Sequence, residues 1–399
     1  MGHRTVNDFA PELERRLSAL REQDLFRELR RVDSPQSAQI QVNGRPFLNF
    51  SSNDYLGLAD HPDLKAAAVK AIEQYGAGAG ASRLICGSLA PFHDLEKALA
   101  AFKGTEAALT FSTGYATAIG TVCALIGKDD IVILDKLVHA SIVDAARLSG
   151  ARIRIFKHNN LQDLEDKLMW AKAESGKRKA ETLIVTESVF SMDGDAAPLQ
   201  EIIGLKKKYG AWLMVDEAHA TGLYGKHGRG LADELGVAGD VEVQMGTLGK
   251  ALGASGGYIC GPQVLIDFLV NRARSFIFST APVPAAAAAA TAAVKVVRST
   301  EGETRRNTLR ERVAQLRAAL RLPPSAFESA IVPLIIGDES KTLAAATALR
   351  EKNIFVPAIR YPTVARGSAR LRITVTASHT LEDIDALAKA LAPIIHHRS

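Results

Sequence analysis

Short apolar runs alternate with amphipathic stretches through the middle of the chain. The apolar runs predict strands at 109–111, 131–134, 153–156, 183–186, 212–215, 241–245 and 258–260. Between them, apolar residues recur at helical spacing, as at Leu161, Leu164 and Leu168. Strands that alternate with helices favour a mainly parallel sheet covered on both faces, so we expect an α/β fold.

The two ends of the chain have different patterns. Leucines at 13, 17, 20, 25 and 29 predict an N-terminal helix that continues to about Arg31. Beyond residue 320 the pattern changes to strands at 331–336, 354–356 and 370–375, with helices near 343–349 and 384–391. We therefore predict an N-terminal helix and segment (1–57), a large α/β domain (58–294) and a small α+β C-terminal domain (295–399).

The composition is that of a globular protein. The chain has 399 residues, of which 47% are hydrophobic and 23% charged, and its formal net charge is +5. Arginines cluster between 305 and 317, but Leu309, Val313, Leu316 and Leu320 share the same stretch at helical spacing. This pattern predicts an amphipathic helix with a solvated basic face, and we expect no nucleic-acid partner.

The cysteines and the uncharged segments restrict the location and exclude some sites. Cys86, Cys123 and Cys260 form no CxxC pair and are odd in number, which favours a reducing compartment and no metal site. With no apolar leader, we expect a cytoplasmic protein. The uncharged stretches 107–127 and 275–294 are broken by glycine or proline and rich in alanine, so we interpret them as buried segments and expect no membrane association.

Polar clusters follow several predicted strands. Asp216 follows the run 212–215, and Lys250 closes Met245-Gly-Thr-Leu-Gly-Lys250 without a nearby acidic residue. Gly114 lies where the strand 109–111 turns into a helix whose free N–H groups can bind phosphate. Each signal is weak alone, because a lone aspartate is commonly a helix cap and a lone lysine is commonly solvated. Together they match pyridoxal phosphate, which needs an amine for its aldehyde, a carboxylate for its ring nitrogen and a phosphate cradle.

Other nucleotide cofactors lack their signatures. Gly76-Ala-Gly-Ala-Gly80 does not have the third glycine of the dinucleotide pattern at its spacing, and no P-loop pattern occurs. His139 follows the strand 131–134, where its ring could stack on a cofactor, although a lone histidine there is more often structural.

Four separated motifs resemble those of the α-oxoamine synthases, in the same order along the chain. These enzymes are pyridoxal-phosphate proteins of fold type I, and the similarity extends from about residue 24 to about residue 385. The motifs are Asn53-Asp-Tyr-Leu-Gly-Leu58, Val189-Phe-Ser-Met-Asp-Gly-Asp195, Asp216-Glu-Ala-His-Ala-Thr-Gly222 and Gly246-Thr-Leu-Gly-Lys-Ala-Leu-Gly253.

The resemblance implies roles around the cofactor and the amino acid. The residues around the cofactor ring would be Lys250 on the aldehyde, Asp216 on the ring nitrogen, His219 and Ser191 near the ring hydroxyl, and His139 stacked on the ring. The phosphate would be held by Gly114, Tyr115 and Thr247, with Thr280 reaching it from a second subunit of a homodimer. The substrates would meet Arg372 and Asn53 at the amino-acid carboxylate, and Arg27 and Thr363 at the acyl group. The alternation of Arg372 with Leu371 and Ile373 independently places it on the opposite strand face.

Residues 358–364 and 369–377 are most similar to the family member of biotin synthesis, which condenses L-alanine with a pimeloyl thioester of CoA or acyl carrier protein. The nearest alternative is a sister activity that uses glycine with acetyl-CoA or succinyl-CoA. Two other classes stay open, a non-enzymatic pyridoxal-phosphate regulator and an acyltransferase with Cys123 or Cys260 as nucleophile.

Overall fold

The computed structural model describes residues 9–178, 180–325 and 327–396. Its centre is a seven-stranded sheet in the order β3-β9-β8-β7-β6-β4-β5. Every neighbouring pair is parallel except those made by β9, which runs antiparallel to both β3 and β8. The strands are β3 (Ala107–Phe111), β4 (Ile131–Asp135), β5 (Arg152–Phe156), β6 (Thr182–Glu187), β7 (Trp212–Asp216), β8 (Val243–Thr247) and β9 (Gly257–Gly261).

Helices cover both faces of this sheet, as the strand–helix alternation predicts. One apolar layer joins the sheet to the helices around Ala118, Val122 and Ile142, and another joins it to Leu164 and Ile202 on the opposite face. The central strands are therefore buried on both sides, which is why they are almost wholly apolar. The helices are α4 (Gly114–Leu125), α5 (Ala140–Ser149), α6 (Leu161–Arg178), α7 (Leu199–Tyr209), α8 (Leu231–Glu234), α9 (Gln263–Arg272) and α10 (Arg274–Ile277).

A second unit is built from the end of the chain. Its antiparallel sheet has the order β10-β13-β12. From residue 284 onward the elements are α11 (Pro284–Arg298), α12 (Thr300–Ala319), β10 (Ile331–Gly337), α13 (Glu339–Glu351), β11 (Ile354–Phe355), β12 (Ala358–Ile359), β13 (Ala369–Thr374) and α14 (Leu381–His396).

The N-terminal segment joins this second unit. Strands β1 (Gln39–Val42) and β2 (Arg45–Asn49) form a hairpin, and β11 pairs with β2 in parallel. The chain then continues through α2 (Pro62–Tyr75) and α3 (Ala90–Lys103). This pairing joins residues about 300 positions apart, Leu48 with Ile354 and Asn49 with Phe355.

Three local predictions need correction. The first helix, α1, spans Phe9–Glu22, so Leu25 and Leu29 lie beyond it, and the part predicted on residues 1–8 lies outside the described residues. The strand predicted at 241–245 starts two residues later and ends at Thr247. Helix α12 has the predicted apolar face, but Arg306 is buried and donates to the Val297 carbonyl, so it does not belong to a solvated basic face.

The uncharged stretches are ordinary elements of the fold. Residues 107–127 form β3 and α4, and the alanine-rich stretch forms much of α11. Within the described ranges, no helix is long and apolar enough to cross a membrane. The division of the chain at residues 57 and 294 stays a prediction.

Candidate active site

The carboxyl ends of the parallel strands bring the predicted polar groups together. Strand β6 ends at Glu187 and β7 ends at Asp216, and these two residues are paired in register. Strand β8 ends at Thr247, and the chain turns through Lys250 before it returns as β9. Ligands of α/β proteins bind at this edge of the sheet, so the strand ends define the candidate site.

Lys250 lies against a buried histidine. Its Nζ is 2.8 Å from Nε2 of His219, whose Nδ1 is 2.6 Å from the hydroxyl of Tyr55. Burial lowers the pKa of Lys250 to about 8, although the charges of Asp216 and Glu187 act in the opposite direction. Burial, together with the Lys250 charge, lowers the pKa of His219 well below its usual value. A neutral histidine therefore faces an amine that is partly deprotonated near neutral pH.

Asp216 supplies a carboxylate on the floor of the site. It is buried, and its Oδ1 accepts a hydrogen bond of 2.9 Å from the Ala218 N–H. Burial raises its pKa, whereas the Lys250 charge and this hydrogen bond lower it. A protonated ring nitrogen would add a second positive partner and keep this carboxylate ionised.

The start of α4 forms an anion cradle. Thr113 caps the helix, accepting hydrogen bonds from the N–H of Ala116 at its side chain and of Thr117 at its carbonyl. The N–H groups of Gly114 and Tyr115 belong to the first turn, which has no intrahelical acceptors for them. A Cβ on Gly114 would lie 3.9 Å from the Thr247 hydroxyl oxygen. The Tyr115 side chain is half exposed and donates to Asp144, so only its backbone can serve this cradle.

Arg372 connects three parts of the site. Its Nε donates to the Ser191 carbonyl at 2.6 Å, and its Nη1 donates to Asn53 Oδ1 at 3.1 Å and to Thr374 Oγ1 at 2.8 Å. The side chain is 4% exposed, and both faces of β13 are buried, so the strand alternation is present without a solvent-facing side. These hydrogen-bond partners are all neutral, which leaves the guanidinium charge available for a substrate carboxylate.

His139 and Ser191 lie on loops that adjoin the strand ends. His139 caps α5, and its Nδ1 accepts from the Ser141 N–H at 3.2 Å. Burial lowers the pKa of His139, with Asp216 raising it and Lys250 lowering it, so it lies within electrostatic reach of both. Ser191 is buried.

Three predicted residues have no contact with this cluster through the described part of the chain. Thr280 is exposed and forms an isolated bridge with Ser82. Arg27 and Thr363 are exposed, and Arg360 lies between them. The N–H of Thr363 donates to the Arg360 carbonyl, and the Arg360 guanidinium donates to backbone carbonyls on the segment that leads to Arg27.

A cavity of about 450 Å³ opens onto Lys250. Asn53 and the polar residues beside it line the inner part, while Val32, Ile40 and Phe355 provide an apolar wall. A larger hollow of about 760 Å³ lies elsewhere, lined from α3 and α9, and contains none of the predicted site residues. Of these two, the smaller cavity is therefore the candidate substrate-binding site.

Two residues of this cluster are not among the predicted site residues. Tyr55 lies in the motif Asn53-Asp-Tyr-Leu-Gly-Leu58, and its hydroxyl contacts His219 and Arg372. Glu187 ends its strand just as Asp216 ends the next one, and the same strand-end argument could have found it.

The two cysteines considered as nucleophiles are poorly placed for that role. Cys260 is fully buried, and burial raises the pKa of its thiol to about 12. Burial also raises the pKa of the Cys123 thiol, which donates to the Ala145 carbonyl. Because thiolates are the reactive form, this geometry disfavours a cysteine-dependent acyltransferase.

The chain is similar to known proteins over nearly its whole length. The family model described as aminotransferase class I and II matches residues 45–391. The 8-amino-7-oxononanoate synthase of Geobacter sulfurreducens is 47% identical over 381 residues, covering 95% of this chain and 96% of that protein. The corresponding protein of Geotalea daltonii is 46% identical and covers 98% of each chain. This chain belongs to the α-oxoamine synthases.

Solved structures agree with this assignment. Serine palmitoyltransferase of Sphingomonas wittichii is 32% identical and superposes with a TM-score of 0.88 over 98% of each chain. The 8-amino-7-oxononanoate synthase of Francisella tularensis is 27% identical and superposes with a TM-score of 0.74, covering 88% of this chain. The predicted fold type I and the predicted cofactor, pyridoxal phosphate, are confirmed.

The site of this α-oxoamine synthase fits that cofactor. The amine of Lys250, the buried carboxylate of Asp216 and the free N–H groups at Gly114 and Tyr115 provide the three groups that it needs. They lie at or just after the carboxyl ends of β3, β7 and β8, which are at one edge of the same sheet, so a single planar ligand can meet all of them.

Proposed function

We propose that this protein condenses L-alanine with a pimeloyl thioester, carried by CoA or acyl carrier protein, to form 8-amino-7-oxononanoate, CO2 and a free thiol in biotin biosynthesis. The observation that carries this proposal is the set of relatives of that name, 44–47% identical over 95–98% of this chain. The geometry of the site supports the roles of Lys250, Asp216 and Arg372.

Five side chains hold the cofactor ring in this proposal. Lys250 binds the aldehyde carbon, Asp216 keeps a proton on the ring nitrogen, His219 and Ser191 hydrogen-bond near the ring hydroxyl, and His139 covers one face. The bound cofactor supplies an electron-accepting ring that stabilises negative charge on the amino-acid Cα. The raised pKa of buried Asp216 falls when a cationic partner lies beside it, which favours the charged pair.

The phosphate is held by backbone and hydroxyl groups. The N–H groups of Gly114 and Tyr115 donate to it at the positive end of α4, and the Thr247 hydroxyl completes the cradle. Thr280 of a second copy of the chain adds a further hydroxyl.

Lys250 moves the proton at Cα. With the cofactor and the amino acid bound, the Lys250 amine would be available beside Cα, and a pKa of about 8 leaves part of it unprotonated near neutral pH. Such an amine can accept the Cα proton as a general base. The neutral His219 ring, whose Nε2 is 2.8 Å from Nζ, orients the Lys250 amine. When the amine is protonated, His219 accepts a hydrogen bond from it.

Arg372 and Asn53 orient the amino acid. The guanidinium, already fixed by Ser191 and Thr374, binds the carboxylate, so the Cα–H bond is directed towards Lys250 and the cofactor ring. With the cofactor bound, the negative charge at Cα would attack the thioester carbonyl, so that a C–C bond forms and the thiolate leaves. The new ketone would hold the electrons left when CO2 departs, and the proton taken up by Lys250 would return to Cα. Arg27 and Thr363 contact the acyl chain, with Arg360 holding their two segments together.

We also propose a cytoplasmic homodimer with its sites at the subunit interface. Exposed apolar side chains near Thr280 support a protein contact there, since Phe278 is 70% exposed and Ile85 is 80% exposed beside the Ser82–Thr280 bridge. Cross-linking and light scattering measure this association.

The deciding experiment supplies purified protein with L-alanine and pimeloyl-CoA or pimeloyl-acyl carrier protein. Mass spectrometry of 8-amino-7-oxononanoate and release of free thiol measure turnover. Parallel reactions use glycine with acetyl-CoA, and serine with palmitoyl-CoA because serine palmitoyltransferases are close structural neighbours. Product from glycine or serine without product from alanine contradicts the proposal.

A matched pair of variants tests the carboxylate site. R372K keeps the charge but loses the planar fork, and we expect the KM for alanine to rise about tenfold or more. R370K is the control, because Arg370 lies on the same strand but binds Asp193 and the Met192 carbonyl. An equal effect of both variants on KM argues against a role for Arg372 in carboxylate binding.

A further inference from the structure

A second buried carboxyl group lies beside Asp216. Glu187 is the last residue of β6 and pairs in register with Asp216 on β7. It is 2% exposed, and its Oε1 finds no hydrogen-bond partner within the described residues. A buried carboxyl oxygen without a hydrogen-bond partner lowers the stability of the folded protein, so its presence calls for an explanation.

The groups that face Glu187 come from each surrounding segment. Asp216 and Lys250 lie on the neighbouring strand ends, the backbone N–H groups of His139 and Ser191 come from the adjoining loops, and the Glu187 charge also acts on Tyr55. Glu187 therefore interacts with groups from both loops and from both strand ends.

The two neighbouring carboxyl groups differ in how readily they ionise. Burial and the Asp216 charge raise the pKa of Glu187 to about 8, against the opposing effects of Lys250 and the two N–H groups. At Asp216 the Lys250 charge is the largest effect that opposes burial, whereas at Glu187 the Asp216 charge adds to burial. Two carboxylates this close do not both ionise readily, so the proton belongs on Glu187 near neutral pH.

We propose that Glu187 is a positioning residue of the site: an uncharged carboxylic acid that holds the His139 and Ser191 loops and leaves Asp216 as the charged carboxylate beneath the ring. The inference rests on the proposed function for its catalytic consequence, but not for its effect on the bound cofactor. Above about pH 8, Glu187 ionises and adds a second negative charge near Lys250.

Three variants test this role in the cofactor-loaded protein. E187A removes the carboxyl group, and we expect about a tenfold loss of kcat/KM, the equivalent of one lost hydrogen bond, with faster loss of cofactor on dialysis. E187Q keeps the shape and the acceptor oxygen without the acid, and we expect it to recover most of the loss at pH 7. E181Q is the control, because Glu181 is exposed just before the other end of β6.

The spectroscopic readout is independent of turnover. The visible absorption of the lysine-bound cofactor changes with pH, and ionisation of Glu187 raises the pKa of that change by stabilising positive charge. We expect E187Q to lower this pKa by about half a unit or more, and E181Q to leave it unchanged. If the wild-type protein binds cofactor and E187Q shows this shift, but the wild type makes no product from alanine, the proposed function fails while the role of Glu187 stands.

Two results overturn the proposal. An E187Q protein as impaired as E187A at pH 7 means that the negative charge, not the neutral acid, is required. An E187A protein with wild-type cofactor retention and an unshifted absorption titration means that Glu187 positions nothing. If E187A does not fold, the comparison of E187Q with E181Q still decides between these outcomes.

Discussion

His158 forms a clamp between the two loops that adjoin the site. Its Nδ1 lies 2.9 Å from Oδ1 of Asp135, and its Nε2 lies 2.7 Å from Oδ2 of Asp195. Its ring also meets the edge of Phe190, with centroids 4.4 Å apart. Asp135 ends β4 just before His139, and Asp195 follows the turn that carries Ser191, so the clamp fixes both segments.

The charge on this histidine makes the clamp pH-dependent. Burial lowers the pKa of His158, but hydrogen bonds to Asp135 and Asp195 and their charges outweigh it and raise the pKa to about 10. A group whose pKa rises on folding stabilises the native state fully below its unfolded pKa, near 6.5, and loses that effect as pH rises through about 10. One proton corresponds to about 1.4 kcal/mol per pH unit in this window. Over the two units from pH 7 to pH 9 this gives about 3 kcal/mol. Because the side chain is 23% exposed, we allow for solvent screening by halving that figure, to about 1.5 kcal/mol.

Urea unfolding of the cofactor-loaded wild type and H158Q measures this effect. Glutamine cannot keep both charge-assisted bonds, so we expect H158Q to be about 2–3 kcal/mol less stable at pH 7. The difference should shrink by about 1.5 kcal/mol at pH 9 as the wild type loses its proton. H93Q is the control, because His93 is exposed and bonds to Ser88. A difference that is the same at both pH values, or larger at pH 9, refutes a charged His158 as the stabilising species.

Three further predictions follow from buried contacts. K103M leaves the fully buried Glu217 carboxylate without its lysine, and we expect the free energy of unfolding to fall by about 3–5 kcal/mol. The double variant K103M/E217Q should recover part of this loss. Equal stability of the single and double variants contradicts an ionic pair. G257A places a Cβ 2.9 Å from Gly114 Cα, so we expect weaker cofactor retention on dialysis at nearly unchanged secondary structure by circular dichroism, and full retention contradicts the close approach. In the cofactor-free protein, the rate at which added pyridoxal phosphate develops the bound absorption should rise with pH and level off above about 8, because the Lys250 amine must be unprotonated to react. A rate that keeps rising to pH 10 contradicts a lowered pKa.

The positions of Asp216 and Lys250 were predictable because one simple rule governs them. Parallel strands end at one edge of a sheet, so polar residues just after apolar runs meet there whatever the order of the strands. The alternation around Arg372 was predictable for a similar reason, since it depends only on the local period of a strand. What that period could not give was the burial of both faces of β13, which depends on packing against the rest of the chain.

The remaining features depend on which strands are neighbours. That Glu187 faces Asp216 follows from β6 lying beside β7, and the sequence states the strand ends but not their pairing. The burial of Arg306 depends on the carbonyl of Val297, which becomes available only where α11 ends against α12. The end of α1 at Glu22 was missed because leucine spacing continued past it, while the chain turned with a positive φ at Asp24.

The pairing of β2 with β11 determines the order in which parts of the protein can fold during synthesis. The hydrogen bonds from the Ser51 hydroxyl to the Phe355 carbonyl and from Arg372 to Asn53 can form only after residues 355 and 372 have been synthesised. By then every strand of the central sheet has been synthesised. A nascent chain synthesised as far as Gly261 contains all seven of those strands and Lys250. It still lacks the groups that bind the amino-acid carboxylate. Translation must therefore pass Arg372 before the carboxylate-binding pair of Asn53 and Arg372 can form.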